Sequence, residues 1–116
     1  MPAVEQTLLP QPARADIRIE LVLQALGDPV RLTLVRALAT GPAVGIACGA
    51  VPLPVTKSTR THHLRILREA GLTLTRTDGT KRLVSLRRDD LDARFPGLLD
   101  AVLAAAGREA PAPTAA

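Results

Sequence analysis

The chain has 116 residues, 47% of them apolar, which is enough for one domain with one modest core. Cys48 is the sole cysteine, which excludes an intrachain disulfide and suits a reducing, cytoplasmic setting. The chain start lacks a basic segment followed by an apolar run, and no run of about 18 apolar residues occurs, so neither a secretory leader nor a membrane span is expected.

The net charge is +4 and it is segregated. From Lys57 to Arg88 there are nine bases against two acids, a net +7, so the remainder is net −3. A contiguous basic segment is the footprint of a phosphate-binding face, or else a solvated Arg-rich surface. Phe95 is the only aromatic residue, so the core must be aliphatic.

Residues 1–16, with Pro2, Pro10 and Pro12, read as a flexible arm. Asp16 is the expected cap of a first helix whose apolar stripe runs through Ile17, Leu21, Leu23 and Leu26 to Gly27. Asp28-Pro29 opens a second, because an aspartate caps free amides and proline suits the first turn. Its stripe is Leu32, Val35, Leu38 and Ala39, and Gly41-Pro42 ends it. The stretch from Ala43 to Thr56 has no clean period and reads as an extended piece or a distorted turn.

Ser58 to Ala70 predicts a third helix with Ser58 as N-cap and Gly71 just past its end. At 100° per residue, His63, Leu64, Leu67 and Ala70 share the inner face. Ser58, Thr61, His62 and Arg65 share the opposite face. Asp78-Gly79 between β-prone runs predicts a hairpin that pairs Thr77 with Thr80 and Arg76 with Lys81. A helix opens at Arg88-Asp89-Asp90, breaks at Pro96-Gly97, and is followed by a last helix with Leu98, Leu99, Val102, Leu103 and Ala106 on one stripe. Gly107 is its expected end, and residues 108–116 read as a disordered tail.

The order helix, helix, irregular piece, helix, hairpin, helix is a winged helix-turn-helix: mostly α with a two-stranded β-wing, spanning residues 17–107. In such folds one helix enters the major groove and the hairpin reaches the backbone. Ser58, Thr61 and His62 offer short hydrogen-bonding groups, and Arg65 offers a bidentate fork to guanine or phosphate. Lys57, Arg76, Lys81 and Arg82 suit phosphates.

The run Ala25-Leu26-Gly27-Asp28-Pro29-Val30-Arg31-Leu32 resembles the opening motif of the ArsR/SmtB family of bacterial repressors. The run Ser58-Thr59-Arg60-Thr61-His62-His63-Leu64-Arg65-Ile66-Leu67-Arg68-Glu69-Ala70-Gly71-Leu72 is similar to that family's recognition helix, and Asp78-Gly79-Thr80-Lys81-Arg82 to its wing. The resemblance covers residues 17–105. It implies a homodimer packed through the first and last helices, binding an inverted-repeat operator in double-stranded DNA as a repressor released by an inducer. The candidate DNA-contacting set then includes Thr59 and Arg60, the latter with its side chain swung out to solvent or phosphate. The family's Cys-x-Cys pair is absent, and no His follows His63, so neither familiar metal site is expected.

His62 and His63 point about 100° apart, which suits one facing DNA and one supporting the core better than a shared metal. Cys48 is the candidate for a sensing role. Its neighbours Ala47 and Gly49 carry no charge that would activate a thiol, and a buried, inert cysteine is the commoner case. No nucleophile, base and acid converge, so an enzyme is not expected. The rival reading is a winged-helix module for protein contact or for non-specific architectural DNA coating.

Overall fold

The structure, a computed structural model, describes residues 7–109. In chain order it has β1 (Thr7–Leu8), a 3-10 turn (Arg14–Asp16), α1 (Ile19–Leu26), α2 (Pro29–Thr40), β2 (Ile46–Ala47), α3 (Lys57–Glu69), β3 (Thr73–Asp78), β4 (Lys81–Leu86), α4 (Arg88–Arg94) and α5 (Leu98–Glu109). The strands form one antiparallel sheet in the order β1-β3-β4-β2. Helices α1 to α3 pack on each other, and α2 and α3 also pack on the sheet.

Sequence chemistry accounts for most boundaries. The Asp28 carboxylate accepts from the amides of Val30 (2.9 Å) and Arg31 (3.0 Å), which caps α2 as expected. At the end of α3, Gly71 donates to the Arg68 carbonyl (3.1 Å) and Leu72 to the Leu67 carbonyl (3.0 Å). This is a Schellman closure, and it needs Gly71 at φ +87°. A Cβ there would also lie 2.7 Å from Ile17, so glycine is required for conformation and for close approach alike.

The core is aliphatic. Val22 and Leu26 of α1, Leu34, Val35 and Leu38 of α2, and Leu64 and Leu67 of α3 close on Leu72, Val84, Leu91 and Leu99. Burying each such side chain contributes about 1.5–3 kcal/mol.

Several expectations are corrected. The wing is not a bare two-stranded hairpin: β1 and β2 each add two residues to its edges. The loose arm expected over residues 1–16 is paired from Thr7 onward. Thr7 and Leu8 lie opposite Thr77 and Arg76, and the Leu9 amide donates to the Thr75 carbonyl (3.0 Å). Residues 1–6 lie outside the described residues. Helix α1 starts at Ile19, because Asp16 is taken up in the preceding turn. Its buried face is Val22, Ala25 and Leu26, while Ile19, Leu21 and Leu23 face outward at 38%, 42% and 49% exposure. Gly107 does not end α5, which runs on through Arg108 to Glu109; residues 110–116 of the expected tail lie outside the described residues. The stretch before α3 is extended, holding β2 and then loops.

Candidate nucleic-acid interface

The N-cap of α3 lies two residues earlier than the sequence suggests. It is Thr56, whose hydroxyl accepts from the Thr59 amide (3.2 Å), so Ser58 lies inside the first turn. The helix divides as its wheel predicts. His63, Leu64, Leu67 and Ala70 are buried; Ser58, Thr61, His62 and Arg65 are exposed.

The exposed face is partly preset. Arg65 Nη2 stands 3.3 Å from His62 Nδ1, and its Nε stands 3.9 Å from Glu69. A guanidinium can only donate, so His62 Nδ1 accepts and its Nε2 carries the proton outward. The Thr61 hydroxyl donates to the Lys57 carbonyl (3.0 Å), which leaves it free to accept. His63 turns inward at 9% exposure. Its Nδ1 lies 3.3 Å from Arg31 Nη1 and 3.9 Å from Asp28.

The wing's loop lies one residue later than expected, which moves every partner across the hairpin by two. Asp78 pairs with Lys81, Thr77 with Arg82 and Arg76 with Leu83, so the two-residue loop is Gly79-Thr80. Gly79 has φ +63° and Thr80 does not have a positive φ. That is the pattern in which glycine is needed only at the first loop position, so Asp78 stays in the strand. Each β3 residue's partner moves by two, so the faces are kept and only the distance from the tip changes. Thr73, Thr75, Thr77, Arg82, Val84 and Leu86 share the side toward α3, and Arg76 lies on the other. There Arg76 donates to the Val44 carbonyl and lines a separate cavity with Arg87 and Asp90. Arg76, paired with Leu83 and tied to Val44, thus stands apart from Lys81 and Arg82, with which it was expected to cluster at the tip.

Arg60 also departs from expectation. It does not swing out; it is half-buried, and its Nη1 donates to the Cys48 carbonyl (3.4 Å) across to the loop after β2. Arg60, Leu64 and Arg68, four residues apart along α3, form a stripe facing the wing. Together with Lys57, Cys48, Thr75, Lys81 and Arg82 they line a cavity of about 740 Å³ between helix and hairpin. Arg68 and Thr75 were not singled out in the sequence. The spacing of Arg60 and Arg68 was the available signal, masked by counting Arg68 only as surface charge.

Cys48 is half-buried in that cavity. Burial pushes its thiol above the ordinary range, against the pull of Arg82, Arg60 and Arg68. A protonated thiol is a poor nucleophile at neutral pH.

Among the described residues, Lys57, Arg60, Arg68, Lys81 and Arg82 form no ion pair with a carboxylate. Uncompensated bases around an exposed polar helix face have the chemistry of a nucleic-acid surface. No described helix is long and apolar enough to cross a membrane.

No family model matches the chain. Curated relatives do. The chain is 38% identical over 81 residues to YceK of Bacillus subtilis, an uncharacterized HTH-type transcriptional regulator, covering 68% of this chain and 80% of that one. It is 34% identical over 59 residues to an uncharacterized HTH-type transcriptional regulator of Methanocaldococcus jannaschii, covering 51% of this chain and 66% of the relative. Likeness over four fifths of the first relative, together with a capped polar helix beside a basic hairpin, places the chain among the HTH-type transcriptional regulators, as a DNA-binding member of that family.

Proposed function

We propose that the protein is a homodimeric, sequence-specific repressor of the ArsR/SmtB kind, which binds an inverted-repeat operator and leaves it when an effector binds. The observation that carries this reading is the exposed face of α3 formed by Ser58, Thr61, His62 and Arg65, of which Thr61 also lines the cavity with Lys57, Lys81 and Arg82. In the reading, the α3 face contacts base edges, Thr59 contributes at the helix start, and the bases hold phosphates. The two motifs around Asp28 and His63 support the family assignment. Arg76, tied to Val44, and Arg60, turned toward Cys48, would add mainly long-range attraction.

The exposed Ile19 and Leu23, one turn apart on α1, support a dimer seam there, with the half-buried Val102 and Leu103 of α5 nearby in the reading. Two-fold symmetry would then set two α3 helices about 34 Å apart, one turn of DNA. Fluorescence anisotropy with the DNA upstream of the gene and with random duplex, over a salt series, tests this. A specificity ratio well above one is expected. A ratio near one would favour architectural coating, and no binding would favour a protein-contact module.

A further inference from the structure

The cavity between α3 and the wing has a charge that its own residues do not balance. Among the described residues, five bases line it and no carboxylate does. The second large cavity, on the other side of the sheet, also gathers arginines, but there Asp90 pairs with Arg14 (2.6 Å) and Arg87 (2.8 Å). The α3–wing cavity lacks that compensation among the described residues.

Among the described residues, two buried polar atoms in its wall lack partners. The Thr75 hydroxyl, on a residue only 2% exposed, has no hydrogen-bond partner, and neither does the solvent-shielded Nε of Arg68. Buried donors are nearly always satisfied, because an orphan forfeits its hydration for nothing. A hydroxyl and a guanidinium N–H in one basic cavity are the donors that an oxyanion accepts. Leu64 and Ala47 supply an apolar wall, and the volume suits a small ligand.

We propose that this cavity binds a free small oxyanion, a phosphate- or carboxylate-bearing molecule, with Arg68, Arg60 and Thr75 as its anchors. Lys57, Lys81 and Arg82 are shared between this cavity and the surface assigned to DNA phosphates. Occupancy and DNA binding are therefore coupled with opposite sign, and the coupling is reciprocal. The anion is then the effector of the proposed repressor; this second half rests on the DNA-binding reading, while the binding itself does not.

The test is a titration of the full chain with sodium phosphate and with pyrophosphate, exchanged against sodium chloride at fixed ionic strength and without DNA. Amide signals of Thr75 and Cys48 and the Nε–H of Arg68 are followed by NMR. Saturable shifts are expected. Arg68→Met keeps the aliphatic stem and should weaken binding about ten-fold. Thr75→Val keeps the volume and should weaken it several-fold, which guards against Arg68→Met failing to fold. Shifts without saturation, or unchanged affinity in both variants, would overturn the site. So would Arg68 and Thr75 signals that move with duplex DNA but not with either anion, since the cavity would then hold a backbone phosphate. At the same ionic strength, saturating pyrophosphate should release DNA from the wild type and not from Arg68→Met. Retention by the wild type would sink the effector role. A chain that binds the anion but never DNA would sink the repressor reading and leave the site standing.

Discussion

Arg31 Nη1 stands 3.3 Å from His63 Nδ1, which ties α2 to the inner face of α3. The same guanidinium donates through Nε to the Ala25 carbonyl (2.7 Å) and through Nη2 to the Gln24 carbonyl (3.3 Å), at the end of α1. One side chain thus joins three helices; it supplies a donor to the Ala25 carbonyl and a second one to the Gln24 carbonyl, which also accepts from the Gly27 amide (3.2 Å). Arg31→Ala should cost about 2 kcal/mol, the range for hydrogen bonds to a charged group. Arg31→Lys should recover less than half, because an ammonium lacks the fork that spans all three acceptors. Urea unfolding measures both; an Arg31→Ala midpoint equal to the wild type would show that the brace is idle.

Asp28 sits at the other side of that brace. The Arg31 amide, more than any other group, holds its carboxyl below the usual carboxylate range, against desolvation and with help from the Arg31 and His63 charges and the Val30 amide. A lowered folded value means that the carboxylate stabilises the fold above the unfolded pKa near about 3.9. That contribution is lost as pH falls through the lowered value. Asp90 behaves alike: burial would raise it, but hydrogen bonds from Arg14 and Arg87 outweigh burial and lower it. Stability should therefore fall in acid below about pH 4. Asp28→Ala should cost about 1 kcal/mol at neutral pH as a lost cap. Denaturant midpoints at neutral and acid pH should converge between this variant and the wild type; a constant gap would contradict the sign.

Much of this was legible in the sequence, for local reasons. Asp28-Pro29, the His63–Leu64–Leu67–Ala70 stripe and Gly71 each act within a few residues of themselves, so spacing alone exposes them. What was hidden depends on distant partners. The Asp16 cap gave way to a turn whose Arg14 reaches Asp90, seventy-six positions on. The hairpin register turned on one glycine's φ. The Leu21 and Leu23 stripe of α1 failed because Val22 and Leu26 meet Leu91, Leu98 and Leu99, which the helix's own period cannot reveal. Arg60 bends inward because the loop after β2 offers it the Cys48 carbonyl.

Cys48 carries a chemical consequence of its place in that loop. Burial raises its thiol, while Arg82, Arg60 and Arg68 pull the other way. The thiolate therefore forms only at higher pH than in free cysteine, whose pKa is about 8.5. Iodoacetamide alkylation should reach half its maximal rate above that pH. Arg68→Met removes one opposing cation and should move the midpoint further up. A midpoint below the free-cysteine value would mean an activated thiol and revive a sensing role.

The outward side of α1 bears on assembly. Ile19 and Leu23 stand 38% and 49% exposed and one turn apart. Glutamate is a good helix former, so Leu23→Glu should leave α1 intact while placing a charge in the proposed seam. The wild type should sediment as a dimer at micromolar concentration and the variant as a monomer with an unchanged far-ultraviolet spectrum. A wild type that sediments as a monomer would remove the dimer from the reading.

Arg65 and Lys81 separate base reading from phosphate binding. Arg65 is held beside His62 on the exposed face, at the middle of α3, while Lys81 opens β4 next to the turn. If Arg65 meets a base edge, Arg65→Ala should cost about 1–3 kcal/mol on the operator and little on random DNA, so that discrimination falls at one position in each half-site. In the proposed reading Lys81 meets phosphate alone. Lys81→Ala should weaken operator and random DNA alike and flatten the salt slope by about one unit. Binding isotherms for both variants, on both duplexes and at several salt concentrations, give the four numbers needed. Equal loss on both duplexes for Arg65→Ala would make it another phosphate contact. The reading face would then have to shift toward Ser58 and Thr61, one turn nearer the capped end of α3.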